Sequence, residues 1–326
     1  MKSKKILITG AAGFIGSNLS IKLASSYPDC DFSMLDRDLG KLNNLKCDLA
    51  AVNATNCNFM HNDVSDAITL YDIECGKFDV VVHLAAVPRV AYSVEEPSET
   101  FWENCQKAVQ IFEACTKSNS RVIFASSSSV YGDGAELPTK EESNLNPKSP
   151  YALQKMSAER AATIMAKLRN LDAVSLRFFN VYGPRQRADN AYATVISAWM
   201  QACMNRMPLR LDGDGSQSRD FCYVDDVCSA IELCILRPSR WNGEVFNVAQ
   251  GDSHDLRWLL DWFVDKFNLD VSKDVMMAPP RIGDVKKTLA DTGKSRNELG
   301  FNPAWPLEKG LEATLSWWQS QKMQNI

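Results

Sequence analysis

The chain has 326 residues, of which 45% are hydrophobic and 23% charged, with a formal net charge of -4. That length allows one large α/β unit or two domains with an ample core, and the mild acidity argues against a general nucleic-acid binder. No apolar run approaches the roughly 18 residues of a membrane span. Nothing resembling a signal peptide precedes the first strand, so a cytoplasmic protein with no membrane partner is expected. The 10 cysteines contain no Cys-x-x-Cys pair and the 3 histidines lack ligand spacing. Reduced thiols and no metal site are expected.

Ile6, Leu7 and Ile8 form a short apolar run of the kind a buried parallel strand needs. Gly10, Gly13 and Gly16 follow at three-residue steps, and Phe14–Ala24 reads as an amphipathic helix that opens on Phe14 and Ile15. A strand turning through glycines into a helix is a phosphate cradle. Missing Cβ atoms admit a pyrophosphate, and the helix start offers free N–H groups and a positive dipole end. The second apolar segment, with Phe32, Met34 and Leu35, ends in Asp36, where an acid would hydrogen-bond an adenosine ribose. Asp36 favours NAD over NADP, with Arg37 beside it as an opposing signal. Leu42, Leu45 and Leu49 share a short helix, and Asn58–Val64 is a strand. Asp63 there is read in two ways, as the N-cap of a helix over 65–73 or as a partner of the adenine amino group, with Val64 next to it.

Phe78–Leu84 is a β-branched strand that runs into Ala85 and Ala86, small residues beside which cofactor phosphates could pass. Pro97–Ser118 reads as one long helix. Arg121–Ala125 is a buried strand opening into Ser126, Ser127, Ser128 and Ser129. A helix is expected from Pro150 through Arg169, followed by a strand over Ala173–Phe178. Strand and helix alternate this far, which predicts a Rossmann-type doubly wound parallel sheet with right-handed crossovers. After Asn180 the pattern changes to a Gly/Pro/Arg loop, a helix over Tyr192–Met207 and a turn at Gly213–Gly215. A late strand over 245–248 and helices over 255–268 and 307–321 close the chain. Residues 1–179 with strand 245–248 are therefore expected to form the dinucleotide-binding domain, and 180–244 with 249–326 a smaller substrate-binding domain.

Tyr151 and Lys155 lie four apart near a helix start, so both project from one face. The serine cluster upstream sits at a strand's C-terminal end, where open α/β sheets place ligands. A tyrosine of pKa near 10 is a poor base at neutral pH. A neighbouring ammonium and a cationic nicotinamide ring are expected to favour its phenolate. With a serine hydroxyl on the reacting oxygen, the three groups could take a proton from a substrate alcohol as hydride leaves.

These motifs resemble those of the extended short-chain dehydrogenases/reductases that act on nucleotide sugars. The likeness runs through Gly-Ala-Ala-Gly-Phe-Ile-Gly, His-Leu-Ala-Ala, Ser-Ser-Ser-Ser-Val-Tyr-Gly, Tyr-x-x-x-Lys, Arg-Phe-Phe-Asn-Val-Tyr-Gly-Pro and Ser-Arg-Asp-Phe-Cys-Tyr-Val-Asp-Asp. It implies NAD as cofactor and Ser127 as the catalytic serine beside Tyr151 and Lys155. It also implies that Leu84, Ser126, Phe178 and Val181 face the cofactor. Dehydratases of the family carry Asp-Glu where this chain has Ser128 and Ser129, and decarboxylating members a glutamate at Ser129, which leaves epimerisation.

The segment from Asn190 to Trp199 and the tail from Pro280 to Asp291 are similar to those of UDP-N-acetylhexosamine 4-epimerases. That likeness implies a homodimer that interconverts UDP-GlcNAc and UDP-GalNAc through a 4-keto sugar. Asn180 and Arg219 would face the diphosphate, Thr194, Val195 and Trp199 the uridine end, Arg281 a phosphate oxygen and Asp284 the uridine ribose. Thr288 would stand beside the sugar's C2 substituent, where its small side chain admits an N-acetyl group. One stretch, Tyr-Ser-x-Glu-x-Pro within Val87–Pro97, is instead similar to UDP-glucuronate 4-epimerases, with Arg89 or Arg185 available to a carboxylate. Two other readings are a net nucleotide-sugar reductase and a cofactor-sensing module without chemistry. The complete serine–tyrosine–lysine set counts against the module.

Overall fold

The computed structural model describes residues 3–133, 136–188, 194–280 and 285–324. The first half alternates as the patterns require: β1 (Lys5–Thr9), α1 (Phe14–Ser26), β2 (Asp31–Asp36), α2 (Leu39–Ala51), β3 (Cys57–His61), α3 (Ala67–Glu74) and β4 (Val80–His83). Then come α4 (Val90–Glu95), α5 (Pro97–Phe101), a π-helical turn over Trp102–Gln106, α6 (Lys107–Ser118) and β5 (Arg121–Ser127). A 3₁₀ turn over Ser128–Tyr131, α7 (Pro150–Arg169) and β6 (Ala173–Phe178) follow. The second half holds β7 (Val181–Tyr182), α8 (Val195–Met204), β8 (Leu209–Asp212), β9 (Ser218–Arg219), β10 (Cys222–Tyr223) and α9 (Val224–Leu236). It ends with β11 (Asn242–Val248), β12 (His254–Asp255), α10 (Leu256–Phe267), α11 (Val271–Asp274), β13 (Val275–Ala278) and α12 (Leu307–Gln324).

Seven strands form one parallel sheet in the order β3-β2-β1-β4-β5-β6-β11. The order reverses between β1 and β4, so the loops leaving those two strands part and open a crevice at the sheet's C-terminal edge. Alternation along β1 builds both faces. Ile6 and Ile8 join a cluster that extends through Trp199, Phe246, Phe263 and Leu311. Leu7 enters a second cluster with Val81, Ile111, Phe112 and Ala158.

Several local expectations change. Asp63 does not cap the helix over 65–73; that helix begins at Ala67, with Asp66 at its N-cap. The helix read over Pro97–Ser118 carries the π turn at Trp102–Gln106. Ser126 and Ser127 belong to β5 itself, not to the loop after it. Helices α4 and α9 were not marked by the sequence pattern. Of the helix expected over 192–207, Val195–Met204 is helical and residues 189–193 lie outside the described residues.

Candidate active site

The glycine turn after β1 is sterically closed to side chains. Gly10 has φ +66°, and a Cβ there would meet the Ala85 backbone nitrogen at 2.8 Å. A Cβ on Gly16 would lie 2.1 Å from the Gly10 carbonyl oxygen, and one on Gly13 3.1 Å from it. The turn therefore packs against its own helix and against the Leu84–Ala85–Ala86 loop from β4, across the point where strand order reverses. No side chain caps α1. Its first intrahelical bond runs from Ser17 N to Gly13 O (2.9 Å), so the amides of Phe14, Ile15 and Gly16 precede the ladder. Asp36, at the end of β2, is fastened to this turn. It accepts the amides of Ala12 (3.1 Å) and Asp38 (3.0 Å). These are the features a dinucleotide's pyrophosphate and ribose require, and the residues fit such a group.

Next to Asp36, Arg37 turns its guanidinium to Glu103 (2.9 Å) and Asp63 (4.0 Å). Asp63 also accepts from Lys107 Nζ (2.8 Å) and Ser65 Oγ (2.7 Å). Burial opposes its ionisation, but these bonds outweigh it and hold the carboxyl below its usual range. Val64 is buried in the core below it. Asn104, which the sequence reading passed over, sits in the π turn. Its side chain accepts from Val87 N (2.7 Å) and donates to Val87 O (3.1 Å), pinning the loop after β4. π turns recur at functional sites, but no spacing signal in the sequence marks this one.

Ser149 caps α7 through the Ala152 amide (3.2 Å), and Pro150 occupies the first turn. This start fixes the faces of Tyr151 and Lys155. Ser127, level with Phe178 across the β5–β6 pair, caps the 3₁₀ turn and accepts from Ser129 N (3.2 Å) and Ser129 Oγ (2.9 Å). Tyr151 lies near enough to Ser127 for that hydroxyl to favour its phenolate. The structure thus brings Ser127, Ser129, Tyr151 and Lys155 together at the C-terminal edge.

The expected lowering of the Tyr151 pKa by Lys155 is not seen. Burial pushes the phenol up to about 12, opposed by the nearby Ser127 hydroxyl. Lys155, 3% exposed, donates to Ala125 O (2.9 Å) and is itself pushed down to about 8 by burial. The protein groups alone favour a neutral tyrosine. Ser126 points away from this edge, donating to Glu159 Oε2 (2.7 Å) in the core, so only its backbone faces outward.

On the other side of the edge, Asn180 (φ +21°) follows β6 and donates to Asp220 O (3.2 Å) and Thr288 Oγ1 (3.1 Å). Thr288 Oγ1 also accepts from Asp220 N (3.1 Å). Asp220 is fully buried, and its carboxyl accepts the amides of Gln250, Gly251 and Ala290. Arg219 beside it donates to Ser218 O (2.9 Å). Asn180, Arg219 and Thr288 thus sit in one bonded unit, and Val181 continues from it into β7. Thr194, exposed at the start of α8, bonds Ser197 (3.0 Å), with Val195 half-buried after it.

Two expectations are corrected. Trp199 is 2% exposed, packs edge-on to Phe263 and donates its indole N–H to Arg210 O (2.9 Å), so it is a core residue and not an open wall. Arg185 pairs with Asp48 and is not held out for a substrate carboxylate; Arg89 is exposed at the start of α4. Arg281 and Asp284 lie outside the described residues.

A glycine cradle at the strand-order reversal, an anchored acid after β2 and a serine–tyrosine pair on β5 and α7 define a dinucleotide-dependent enzyme of the short-chain dehydrogenase type. Residues 6–249 match the NAD dependent epimerase/dehydratase family, and the chain belongs to that family, with NAD as its cofactor. It is similar to a solved UDP-N-acetylglucosamine 4-epimerase from Methanobrevibacter ruminantium M1 in complex with UDP-N-acetylmuramic acid, at 36% identity and a TM-score of 0.87 over 98% of this chain and 100% of that one. A UDP-glucose 4-epimerase from Thermotoga maritima, solved with UDP-glucose, is 30% identical with a TM-score of 0.87, covering 98% and 99%. A UDP-glucuronic acid 4-epimerase from Bacillus cereus, solved with UDP-glucuronic acid and NAD, is 28% identical with a TM-score of 0.86, covering 97% and 99%. Among the described residues no helix is long and apolar enough to cross a membrane.

Proposed function

We propose that the chain is a UDP-hexose 4-epimerase that interconverts UDP-GlcNAc and UDP-GalNAc through a 4-keto sugar, with UDP-Glc and UDP-Gal as further substrates. The carrying observation is Ser127, at the end of β5, and Tyr151, in the first turn of α7, placed together at the same sheet edge as the glycine cradle. NAD, when bound, would supply reversible hydride transfer. Gly10, Gly13, Gly16 and the first-turn amides of α1 would hold its pyrophosphate, and Asp36 its ribose. Tyr151 is neutral with the protein groups alone and would need the positive charge of a bound nicotinamide ring beside it to ionise; its phenolate then takes the 4-hydroxyl proton and later gives it back, Ser127 hydrogen-bonds the reacting oxygen, and Lys155 keeps a positive charge behind them. Ser128 and Ser129 stand where elimination would need acids, so no water is lost. Asn180 and Arg219 grip the diphosphate while the sugar presents its other face. In this reading 1–179 with strand 245–248 form the cofactor side, and 180–244 with 249–326 the sugar side.

The reading includes a homodimer, supported by apolar side chains exposed on neighbouring helices: Phe101, Trp102, Leu153, Ile164 and Leu168. A second substrate reading, a UDP-glucuronate or UDP-N-acetylhexosaminuronate 4-epimerase, is supported by exposed Arg89 next to the Tyr-Ser-x-Glu-x-Pro stretch. The deciding experiment incubates purified protein with UDP-GlcNAc and, separately, UDP-glucuronate, without added NAD, and follows the 4-epimers by chromatography. UDP-GalNAc should accumulate to equilibrium. Turnover of the uronate alone would overturn the N-acetylhexosamine reading, and stoichiometric consumption of added NAD(H) would overturn epimerisation.

A further inference from the structure

We propose that the buried Glu159–Arg177 pair is a positioning hub that holds Ser127 against Tyr151; this rests on the reading of those two as the acid–base set. Tyr151, Lys155 and Glu159 follow one another at steps of four on α7, so all three share a face. Glu159 is 0% and Arg177 2% exposed. Their fork is bidentate, with Arg177 Nη2 to Glu159 Oε1 at 2.6 Å and Nε to Oε2 at 3.0 Å. From it, two bonds reach the stretch that carries Ser127. Ser126 donates to Glu159 Oε2 (2.7 Å), and Arg177 Nη1 donates to the Tyr131 hydroxyl (2.6 Å), which donates on to Asn247 Oδ1 (2.6 Å).

The residue before Ser127 and the last residue of its 3₁₀ turn are therefore tied to one ion pair, and half of that pair stands on the helix bearing Tyr151. Two dehydrated charges in a core are weak support for stability, because desolvation offsets their attraction. What they supply is geometry. A planar guanidinium and a carboxylate fix several donors at set angles, which apolar packing of the same volume does not. Glu159 and Arg177 touch neither reacting group and act through Ser126 and Tyr131.

Ser126→Ala and Tyr131→Phe each remove one hydroxyl and leave the ion pair intact, so either one carries the test if the other fails to fold. Both are measured in the purified protein with UDP-GlcNAc, in the parent and in a Ser127→Ala background, with thermal unfolding in parallel. Each should lower kcat by about 3- to 10-fold in the parent with KM unchanged within about twofold, the size of one lost positioning bond. Ser126→Thr, which keeps the hydroxyl, should restore the rate. In the Ser127→Ala background, neither variant should cause further loss, since nothing is left to position. Equal losses in both backgrounds, losses that track the melting temperature, or unchanged kcat in the parent would each overturn the hub. If Ser127→Ala itself turns over like the parent, the acid–base reading falls first, and the hub with it.

Discussion

Replacing Thr288 separates two roles of one side chain. Its hydroxyl accepts from the buried Asp220 amide and from Asn180 Nδ2, both at 3.1 Å. Thr288→Val keeps the volume and removes that acceptor, leaving a buried amide unpaired at a cost of about 1–3 kcal/mol in stability. Because Asn180 loses one of its two acceptors and keeps only Asp220 O, Thr288→Val should lower kcat/KM for acetylated and plain hexoses alike. Thr288→Tyr loses the same bonds and adds a ring beside the place proposed for the C2 substituent. Overpacking of a closed wall costs about 1–3 kcal/mol, or roughly 5- to 150-fold in rate. That penalty should fall on UDP-GlcNAc, whose acetamide needs the space, and spare UDP-glucose. The assay is kcat/KM for both sugars in parent, valine and tyrosine forms. The informative quantity is the tyrosine-to-valine ratio for each sugar, since the lost hydrogen bonds cancel in it. If that ratio is the same for the two sugars, or the tyrosine form epimerises UDP-GlcNAc like the parent, Thr288 is no gate.

Tyr151→Phe should lower kcat by about 10²–10⁴-fold with little change in KM, measured by steady-state kinetics; a near-normal rate would remove the phenol from the proton transfer. Burial pushes the Asp220 carboxyl from 3.8 up to about 7, against three backbone N–H donors. The folded chain thus keeps a proton there that the unfolded chain has lost, and this group's contribution to stability falls as pH rises from about 4 to about 7 and is level above. The melting-temperature gap between the parent and Asp220→Asn should accordingly be wider at about pH 5 than at about pH 8; an equal gap would show that the carboxyl is ionised throughout. Arg281→Ala, at a position known here only from the motif, should weaken UDP-sugar binding by about 2–5 kcal/mol in calorimetry with NAD retained. Loss of NAD with unchanged sugar affinity would place this arginine on the other ligand.

Patterns that close over a few residues were legible in the sequence. Gly10, Gly13 and Gly16 between an apolar run and a helix dictate a cradle because sterics act across one turn. Ser149 and Pro150 open α7, and the step of four aligns Tyr151 with Lys155, since capping and helical pitch are local properties. Strand–helix alternation predicts the parallel sheet for the same reason, with connections short and right-handed.

What tertiary structure decided depends on residues far apart in the chain. Trp199 is placed at the uridine end by resemblance alone until Phe263 and Arg210 are seen to cover it, and Arg185 reads as available to a carboxylate until Asp48 meets it. Lys155 looks like the group that acidifies Tyr151, yet the sheet presents it with the Ala125 carbonyl, and burial raises the phenol instead. The Thr288 hydroxyl is tied to Asn180 and Asp220, and Glu159 to Arg177 and Ser126, by bonds with no periodicity for a sequence to carry. Burial and long-range pairing set the charge state and direction of a side chain, and both come into being only when the strands and helices have packed.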